Sequence, residues 1–296
     1  MSEHTAIPRR ALVLLVILTL VWGTNWPLFP YAVREVSVWT FRAIAVVIAG
    51  AALLLTARMR GQSLAIPREH WASLASATVF YLVIWNIAST YAAILIPSGQ
   101  AAVLGFTMPL WSALISWAVL GERLTGRLMI AVALGGVAVG LLMVPSLRAY
   151  ADAPLGFATG LLAGLGWAVG TLILKRRAIP VPATVLTGWQ LLGCGLPIGI
   201  GALVLGDGQW FMPSWQSIAV IAYIALIPMS IGNVSWFSIV GLLPANVAGL
   251  SSIMVPMVAM VSGAIVAGEP LGPLQLGAMA CSFAALSLVL LKPRRR

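Results

Sequence analysis

Charged residues are scarce in this chain of 296 residues: lysine, arginine, aspartate and glutamate together make up 8% of it. A soluble domain carries about 25% of them. Apolar residues fill 61% of the positions instead, so a surface that faces water cannot be built and an ordinary soluble domain is excluded. The composition predicts a chain that lies almost wholly in a lipid bilayer.

Cysteines and catalytic motifs are also nearly absent. Cys194 and Cys281 stand singly inside apolar runs, without the spacing of a zinc site or a disulfide framework. The sequence has no HExxH motif, no phosphate-binding loop and no pair of carboxylates inside an apolar run. We therefore expect no metal, no cofactor and no enzymatic activity, with a membrane-embedded enzyme acting on lipids as the alternative.

The basic residues outnumber the acidic ones, 17 to 7, and give a net charge of +10. They lie in short connections and at both ends of the chain, not on one folded face, so we expect no nucleic-acid partner. Fourteen of them fall at the two termini and in alternate connections, which leaves Arg34, Arg42 and Arg148. Because basic loops stay on the cytoplasmic side during insertion, both termini are predicted to be cytoplasmic.

Apolar runs fill almost the whole length of the chain, and each can cross about 30 Å of hydrocarbon as a helix. Breaks at charges, proline and glycine predict ten spans, at residues 11–30, 36–56, 71–93, 97–120, 127–145, 155–174, 183–205, 215–239, 244–267 and 272–291. The connections between them are short. The predicted fold class is an all-α integral membrane protein with ten transmembrane helices.

The second half of the chain repeats the first. The stretch MPLWSALISWAVLGERL at 108–124 returns 147 residues later as VPMVAMVSGAIVAGEPL at 255–271, and the same offset aligns Asn86 with Asn233. We infer two repeats of five helices, residues 1–150 and 151–296. An odd number of spans makes the second repeat enter from the opposite side, so the halves are inverted around a central cavity. Such halves permit alternating access, although a static duplicated scaffold would show the same repeat.

Each repeat carries a proline inside a span and a Gly-Glu pair at its end. Pro109 and Pro256 lack an N–H and crowd the preceding turn, so they favour kinks. We predict that both prolines are hinges, with a static shape feature as the alternative. The pairs at 121–122 and 268–269 allow the chain to leave one helix and favour the start of the next.

Polar and aromatic side chains collect near the middle of several spans. Tyr81, Trp85 and Ser89 follow each other at intervals of four residues, on one stripe of the third span, which suits a wet cavity. Packing between helices is the alternative for each residue. The candidate substrate-binding residues are Trp22, Tyr81, Trp85, Asn86, Ser89, Thr107, Trp111, Trp167, Thr171, Asn233, Trp236 and Ser252.

Arg42 is the lone charge inside a predicted span. It can attract a substrate carboxylate, and it can equally extend to the membrane interface or bond to a helix end. The second interpretation is favoured by its repeat partner, Gln190, which carries no charge.

The chain resembles the drug/metabolite transporter superfamily, EamA-type, and within it the bacterial aromatic amino-acid exporters. The resemblance rests on the twofold five-helix pattern, on residues 22–24 (WGT), 41–42 (FR) and 189–190 (WQ), and on two Pro-x(11)-Pro-x(11)-Gly-Glu-x-Leu stretches. It implies a ten-helix exporter in the bacterial inner membrane. It also implies a central cavity formed mainly by spans one, three, four, six, eight and nine.

From these patterns we expect a transporter that exports amino acids, including aromatic ones, and related small metabolites by alternating access. The acids and histidines all lie outside the middle of the spans. Facilitated efflux is therefore simpler than proton coupling, which commonly needs a titratable group in the membrane. The alternatives are export of other metabolites or cationic drugs, a channel, or the lipid enzyme. The oligomeric state stays open.

Overall fold

The computed structural model describes residues 8–96, 98–105, 107–121, 125–144, 147–206, 213–243, 247–248, 252–267 and 271–290, and the regular structure within these ranges is helical. Within these ranges, seven helices are long and apolar enough to cross a membrane. They are Arg9–Leu28, Val38–Met59, Arg68–Ala92, Gly126–Met143, Pro154–Arg176, Ala183–Leu205 and Trp215–Leu242. Shorter apolar helices lie at Val103–Val119, Val255–Val266 and Pro273–Ala285. The prediction of an all-α membrane protein is confirmed.

The apolar helices follow one another with short connections between them. In chain order they are α1 (Arg9–Gly23), α2 (Val38–Met59), α3 (71–95), α4 (Ser98–Gly105 and Met108–Leu120), α5 (Gly126–Met143), α6 (Pro154–Arg176), α7 (Ala183–Leu205), α8 (Trp215–Leu242), α9 (Val255–Ala267) and α10 (Pro273–Leu290). Short helices at Trp26–Leu28, Phe29–Ala32, Arg68–His70, Leu147–Asp152 and Ser252–Met254 lie in the connections.

Local sequence signals explain several helix ends. Ser37 precedes α2, and its side chain accepts a hydrogen bond from the backbone N–H of Thr40. Thr125 precedes α5, and its side chain accepts a hydrogen bond from the backbone N–H of Leu128. Gly121 ends α4 with φ +64°, a left-handed conformation that glycine adopts without steric cost. The predicted role of Gly121 in leaving the helix is confirmed. The other members of the two Gly-Glu pairs lie outside the described residues.

Both α3 and α8 contain a π-helical segment, at Val79–Ile84 and at Ala225–Gly232. The offset of 147 residues that relates the two halves superimposes these segments. An asparagine follows each one, and the side-chain amides of Asn86 and Asn233 donate to backbone carbonyls four residues earlier, at 2.8 and 2.7 Å. The same distortion thus occurs at the same repeat position in both halves. Such segments are frequent at functional sites.

Helix packing follows the same correspondence between halves. Extensive contacts join α2 with α7 and α5 with α10, which are repeat counterparts. In addition, α6 packs against α3 and α4, while α1 packs against α8 and α9. Replacing α6, α3 and α4 by their repeat counterparts α1, α8 and α9 therefore converts the first of these two sets of contacts into the second.

Glycines allow α6 to approach α3 closely. A Cβ atom on Gly170 would lie 2.5 Å from the Cβ of Tyr81 and 2.6 Å from its backbone nitrogen. A Cβ on Gly166 would lie 2.8 Å from the carbonyl oxygen of Phe80. The small residues of α6 therefore bring Trp167, on the same helix, against the π-segment of α3.

Polar contacts mark two opposite ends of the molecule. At the start of α8, the Glu35 carboxylate accepts the Ser214 N–H at 2.8 Å and the Ser217 hydroxyl at 2.7 Å. At the other end of α8, the Lys175 ammonium donates to the carbonyls of Val240 and Leu243 at 2.8 and 2.7 Å. Because α8 has 28 residues, these ends, named the Glu35 end and the Lys175 end, lie about 40 Å apart.

Candidate functional site

Six aromatic side chains form one cluster at the centre of the bundle. This aromatic cluster consists of Trp22, Tyr81, Trp85, Trp167, Trp236 and Phe237. The ring of Trp167 lies 4.1 Å from Tyr81 and 4.7 Å from Trp85, centroid to centroid. It also lies 5.1 Å from Trp22 and 5.7 Å from Trp236. Helices of both halves, α1 and α3 together with α6 and α8, therefore meet at Trp167.

Two hydrogen bonds fix the cluster to α8. The Tyr81 hydroxyl donates to Oδ1 of Asn233 at 2.6 Å, and both side chains are buried. The Trp22 Nε1–H donates to the carbonyl of Pro228, inside the π-segment, at 3.1 Å. A side chain at Gly232 would occupy the space of the Trp22 indole. The π-segment of α8 thus provides both an acceptor and room for the ring.

A small cavity, the aromatic pocket, lies beside the cluster. Its walls include Trp22, Trp85, Trp167, Asn86 and Asn233. The volume of about 60 Å³ holds about two to four water molecules. Pockets that enclose whole organic ligands have about 300 Å³ or more, so this conformation has no room for an amino acid between the rings.

Several polar atoms at the aromatic pocket are buried without a hydrogen-bond partner in the described part of the chain. They are Oδ1 of Asn25, Oδ1 of Asn86, Oγ of Ser89 and Nε1 of Trp167. Buried polar groups are normally bonded to protein or to water. The unpartnered groups of the wall are therefore two amide oxygens that can accept, one hydroxyl that can accept or donate, and one N–H that can donate to a polar solute or to water.

Two larger cavities lie on either side of the aromatic cluster. The Arg42 vestibule, of about 390 Å³, opens at the Glu35 end. Its walls include Ser37, Trp39, Arg42, Asn86, Thr90 and Leu205. The Lys175 vestibule, of about 380 Å³, opens at the Lys175 end. Its walls include Arg10, Lys175, Ala183, Phe237, Ser238 and Leu242.

The two vestibules stand in different relations to the aromatic pocket. Arg42 and Asn86 line both the Arg42 vestibule and the pocket, so these two spaces meet at their side chains. On the other side, Phe237 lines the Lys175 vestibule and packs against Tyr81 with a centroid distance of 4.9 Å. The rings of the cluster therefore separate the pocket from the Lys175 vestibule.

The structure brings together eight of the twelve candidate residues. Six line the aromatic pocket: Trp22, Trp85, Asn86, Ser89, Trp167 and Asn233. Tyr81 and Trp236 belong to the cluster that closes it.

The other four candidates are not among the described residues that line the pocket. Thr107 donates to the Leu104 carbonyl, and Trp111 donates to the Thr107 hydroxyl at 3.1 Å. Thr171 and Ser252 are buried. The contacts of Thr107 and Trp111 lie within α4, which accounts for these two by packing.

Each hinge candidate lies at the beginning of a helical piece. Pro109 is the second residue of Met108–Leu120, directly after the turn at Thr107. Pro256 is the second residue of Val255–Ala267, directly after a 3-10 turn. The first turn of a helix tolerates proline because its N–H groups have no partner within the helix. The interruptions are present, and hinge motion at them stays a prediction.

Arg42 has a more central position than its sequence pattern suggested. The residue is 6% exposed, its guanidinium lies 4.5 Å from the centroid of the Phe29 ring, and its Nε donates to the Thr90 hydroxyl at 3.2 Å. Its hydrogen bond within the described chain thus goes to a side chain and not to a helix end. Asn25 and Phe29 at the same cavity were also missed: the sequence places both in the last turns of the first predicted span, whereas in the structure they follow the end of α1 at Gly23.

Comparison with known proteins gives the same architecture. A solved crystal structure superposes with a TM-score of 0.78 at 18% sequence identity, covering 94% of this chain and 95% of that chain. The uncharacterized transporter YvbV of Bacillus subtilis is 25% identical over 88% of this chain and 85% of its own length. The uncharacterized inner membrane transporter YedA of Escherichia coli is 24% identical over 93% of this chain and 88% of its own length.

A further relative, from Salmonella typhimurium, bears the name "Probable amino-acid metabolite efflux pump" and is 26% identical over 64% of this chain and 66% of its own length. The model of the EamA-like transporter family matches this chain twice, at residues 9–144 and 154–291. Together the two matches cover nearly the whole chain, one in each half. This multi-pass membrane protein therefore belongs to the EamA-like transporter family.

Proposed function

We propose that this protein exports amino acids, including aromatic ones, and related small metabolites by alternating access and facilitated efflux. The observation that carries the proposal is the aromatic cluster between two vestibules that open at opposite ends. A carrier needs a closed centre with a solvent path on either side, whereas an open channel needs one continuous path. The tightly packed rings around Trp167 favour the carrier.

The proposed architecture has ten spans in two inverted repeats, residues 1–150 and 151–296. The protein lies in a bacterial inner membrane, and both of its termini are in the cytoplasm. The seven long apolar helices, with α4, α9 and α10, supply the spans. Inversion is supported by the exchangeable packing partners of the two halves and by the matching π-segments of α3 and α8. Two inverted halves can adopt each other's conformation and so open the centre to alternate sides.

The amino-acid substrate is supported by the chemistry of the aromatic pocket. Indole rings from three helices offer apolar and edge-to-face contacts to a planar side chain. The unpartnered oxygens of Asn25, Asn86 and Ser89 offer acceptors for an ammonium group. The name of the Salmonella typhimurium relative, "Probable amino-acid metabolite efflux pump", refers to the same class of substrate.

The transport cycle follows from which contacts separate the spaces. A solute enters the aromatic pocket from one vestibule when the Trp rings reorient. Release toward the other side requires the contacts of Tyr81 with Phe237 and Asn233 to separate, because these close the pocket at α8. Pro109 and Pro256, at helix interruptions, are the proposed hinges for this motion.

Counterflow in liposomes tests the proposal directly. Purified protein is reconstituted, the vesicles are loaded with one unlabelled solute from a panel of amino acids, metabolites and cationic drugs, and uptake of labelled phenylalanine is followed with and without a pH gradient. We expect saturable counterflow that amino acids drive and a pH gradient leaves unchanged, since no acid or histidine lines the described cavities.

Other outcomes of this experiment identify the rival functions. Uptake that does not saturate and is not stimulated by internal solute indicates a channel. Uptake accelerated by the pH gradient contradicts facilitated efflux, and counterflow driven by cationic drugs alone contradicts the substrate class. The site itself is tested with Trp167→Ala at equal membrane insertion: unchanged counterflow would reject the aromatic pocket as the binding site.

A further inference from the structure

Arg42 is a cation buried inside the bundle at the meeting point of two cavities. It lines both the aromatic pocket and the Arg42 vestibule, and its residue is 6% exposed. One of the five N–H donors of the guanidinium, at Nε, bonds to the Thr90 hydroxyl. The terminal nitrogens make no further hydrogen bond within the described chain, and the residue lines both cavities.

No anion of the described chain accompanies this cation. Glu35, Glu69 and Asp152 are the acids in the described ranges, and none of them lines either cavity at Arg42. A charge held at membrane depth is costly unless it is paired or hydrated. Stacking against the Phe29 ring compensates part of this cost. The terminal nitrogens, at the edge of the guanidinium plane, are left for an anionic group from outside the chain, and a guanidinium binds carboxylates through two parallel hydrogen bonds.

The same cavity offers groups that suit the other charge of an amino acid. Oδ1 of Asn25, Oδ1 of Asn86 and Oγ of Ser89 are buried acceptors without a partner in the described residues. An ammonium group has three donors and no acceptor, so such oxygens complement it. A cation on one side and neutral oxygens on the other thus match a zwitterion.

We infer that Arg42 binds the carboxylate of the transported solute, while the oxygens of Asn25, Asn86 and Ser89 accept its ammonium group. The protein therefore selects free α-amino acids over amines and other cations that lack a carboxylate. This inference rests on the proposed function and adds the group that recognises the substrate class. The size of the Arg42 vestibule, about 390 Å³, accommodates such a solute before it reaches the rings.

The opposite vestibule has the same sign of charge. Arg10 and Lys175 line it, and no acid does among the described residues. A solute without a carboxylate and with a net positive charge meets unfavourable fields at both ends of the path. The corresponding position of the second half holds Gln190, which is buried and uncharged, so the carboxylate site has no counterpart there.

The test compares three solutes that differ by one charged group. Counterflow of labelled phenylalanine in proteoliposomes is inhibited with unlabelled phenylalanine, with phenylalaninamide, which lacks the carboxylate, and with 3-phenylpropionate, which lacks the ammonium group. For the unmodified protein we expect phenylalaninamide to inhibit about tenfold or more weakly than phenylalanine, the loss typical of a hydrogen bond to a charged group.

Substitutions at Arg42 assign this preference to one side chain. In Arg42→Gln we expect the amide-to-acid ratio of inhibitory concentrations to fall to near one, and in Arg42→Lys to stay above that of Arg42→Gln. Gln190→Met is the matched control, because it removes a buried polar group from the corresponding position of the other half. We expect it to keep the ratio of the unmodified protein.

Each outcome bears on one proposal. An unchanged ratio in Arg42→Gln overturns the role of Arg42. Equal inhibition of the unmodified protein by phenylalanine and its amide also overturns it, and this second measurement does not depend on whether a variant folds. Either result leaves amino-acid export standing, since phenylalanine still exchanges. Failure of every amino acid to exchange in the unmodified protein rejects the proposed function and this inference together.

Discussion

Tyr81 connects the two halves of the chain at the centre through both its ring and its hydroxyl. Its ring packs on Trp167, and its hydroxyl donates to Asn233 Oδ1. Both side chains of this hydrogen bond are buried. Its loss leaves a buried acceptor without a donor, which costs more than the bond itself contributes.

We expect Tyr81→Phe to lower the free energy of unfolding by about 0.6 to 2 kcal/mol, the range for hydrogen bonds between membrane helices. Thermal unfolding in detergent measures the change. Tyr91→Phe is the control: this tyrosine accepts a hydrogen bond from Trp39 but is 37% exposed, so we expect a smaller effect. Equal decreases in the free energy of unfolding of the two variants would show that the central hydrogen bond stabilises the protein no more than the exposed one does.

Glu35 gives the Glu35 end a dependence on pH. The Ser217 hydroxyl, followed by the Ser214 N–H, holds the pKa of the Glu35 carboxyl below its usual value of 4.5. A carboxyl with a lowered pKa stabilises the fold above its unfolded pKa, and this contribution disappears as the pH falls through the folded value.

We therefore expect Glu35→Gln to unfold at a lower temperature than the unmodified protein at pH 7. The difference persists down to about pH 5 and then shrinks as the solution is acidified further. Ser217→Ala, which removes the principal donor, reduces the effect of Glu35→Gln. A difference that widens on acidification would contradict the assignment.

At this scale the sequence indicates the aromatic residues of the site better than the charged one. Spacing on one helix face placed Trp85 and Ser89 together, and both line the pocket. Spacing cannot decide whether Arg42 points inward, because an arginine near a helix end can also extend to the interface. Depth in the span, which suggested Trp111, does not reveal that its indole donates to the Thr107 hydroxyl and that it is not among the described residues lining the pocket.

At the scale of elements, α6 depends on glycine for its contact with α3. A Cβ atom at Gly170 would collide with the backbone of Tyr81, which cannot move without displacing α3. At Gly136 of α5, by contrast, an added Cβ meets nothing within 4 Å. The two positions therefore distinguish close packing from the general cost of glycine in a helix.

We expect Gly170→Ala to lower the free energy of unfolding by about 1 to 3 kcal/mol through overpacking. Gly136→Ala should raise it by about 0.5 to 1 kcal/mol, since alanine is the better helix former. Thermal unfolding in detergent measures both. A stabilised Gly170→Ala protein would mean that α6 and α3 are farther apart than the structure shows.

The interruption of α4 before Pro109 is the element that the proposed motion needs. Proline in the first turn of Met108–Leu120 costs no helical hydrogen bond. We expect Pro109→Ala to change stability by about 1 kcal/mol or less but to slow phenylalanine counterflow several-fold, as for other hinge residues. Pro197→Ala, inside the continuous helix α7, should leave counterflow unchanged. Normal counterflow in Pro109→Ala would leave this proline with a static role.

The π-segments could not be predicted from the sequence, although the repeat that relates them could. Val79–Ile84 contains neither proline nor glycine, so no local signal marks the extra residue per turn. Ala225–Gly232 contains Pro228 and Gly232, but proline inside a span predicts a kink of any type. The segments depend on packing, since α6 and the Trp22 ring press against them.

At the scale of the whole molecule, the two vestibules and the basic residues that line them lie toward opposite ends of the bundle. Arg42 and Asn86 line both the Arg42 vestibule and the aromatic pocket, whereas the rings close the pocket toward the Lys175 vestibule. The pocket therefore adjoins the vestibule of the Glu35 end. If the basic residues near Lys175 lie in the cytoplasm, as basic loops do, this conformation faces outward. The inward-facing conformation, in which the two halves have exchanged conformations, then loads the solute for export.

Chemical labelling of single cysteines decides this orientation. In a chain whose Cys194 and Cys281 are replaced by serine, Arg34→Cys and Leu147→Cys should react with a membrane-impermeant maleimide in intact cells, because odd numbers of predicted spans precede both positions. Ser63→Cys and Arg177→Cys should react only after the cells are lysed. All four positions are exposed. Labelling of Leu147→Cys only after lysis would give the first half an even number of spans, and the second half could then not be inverted.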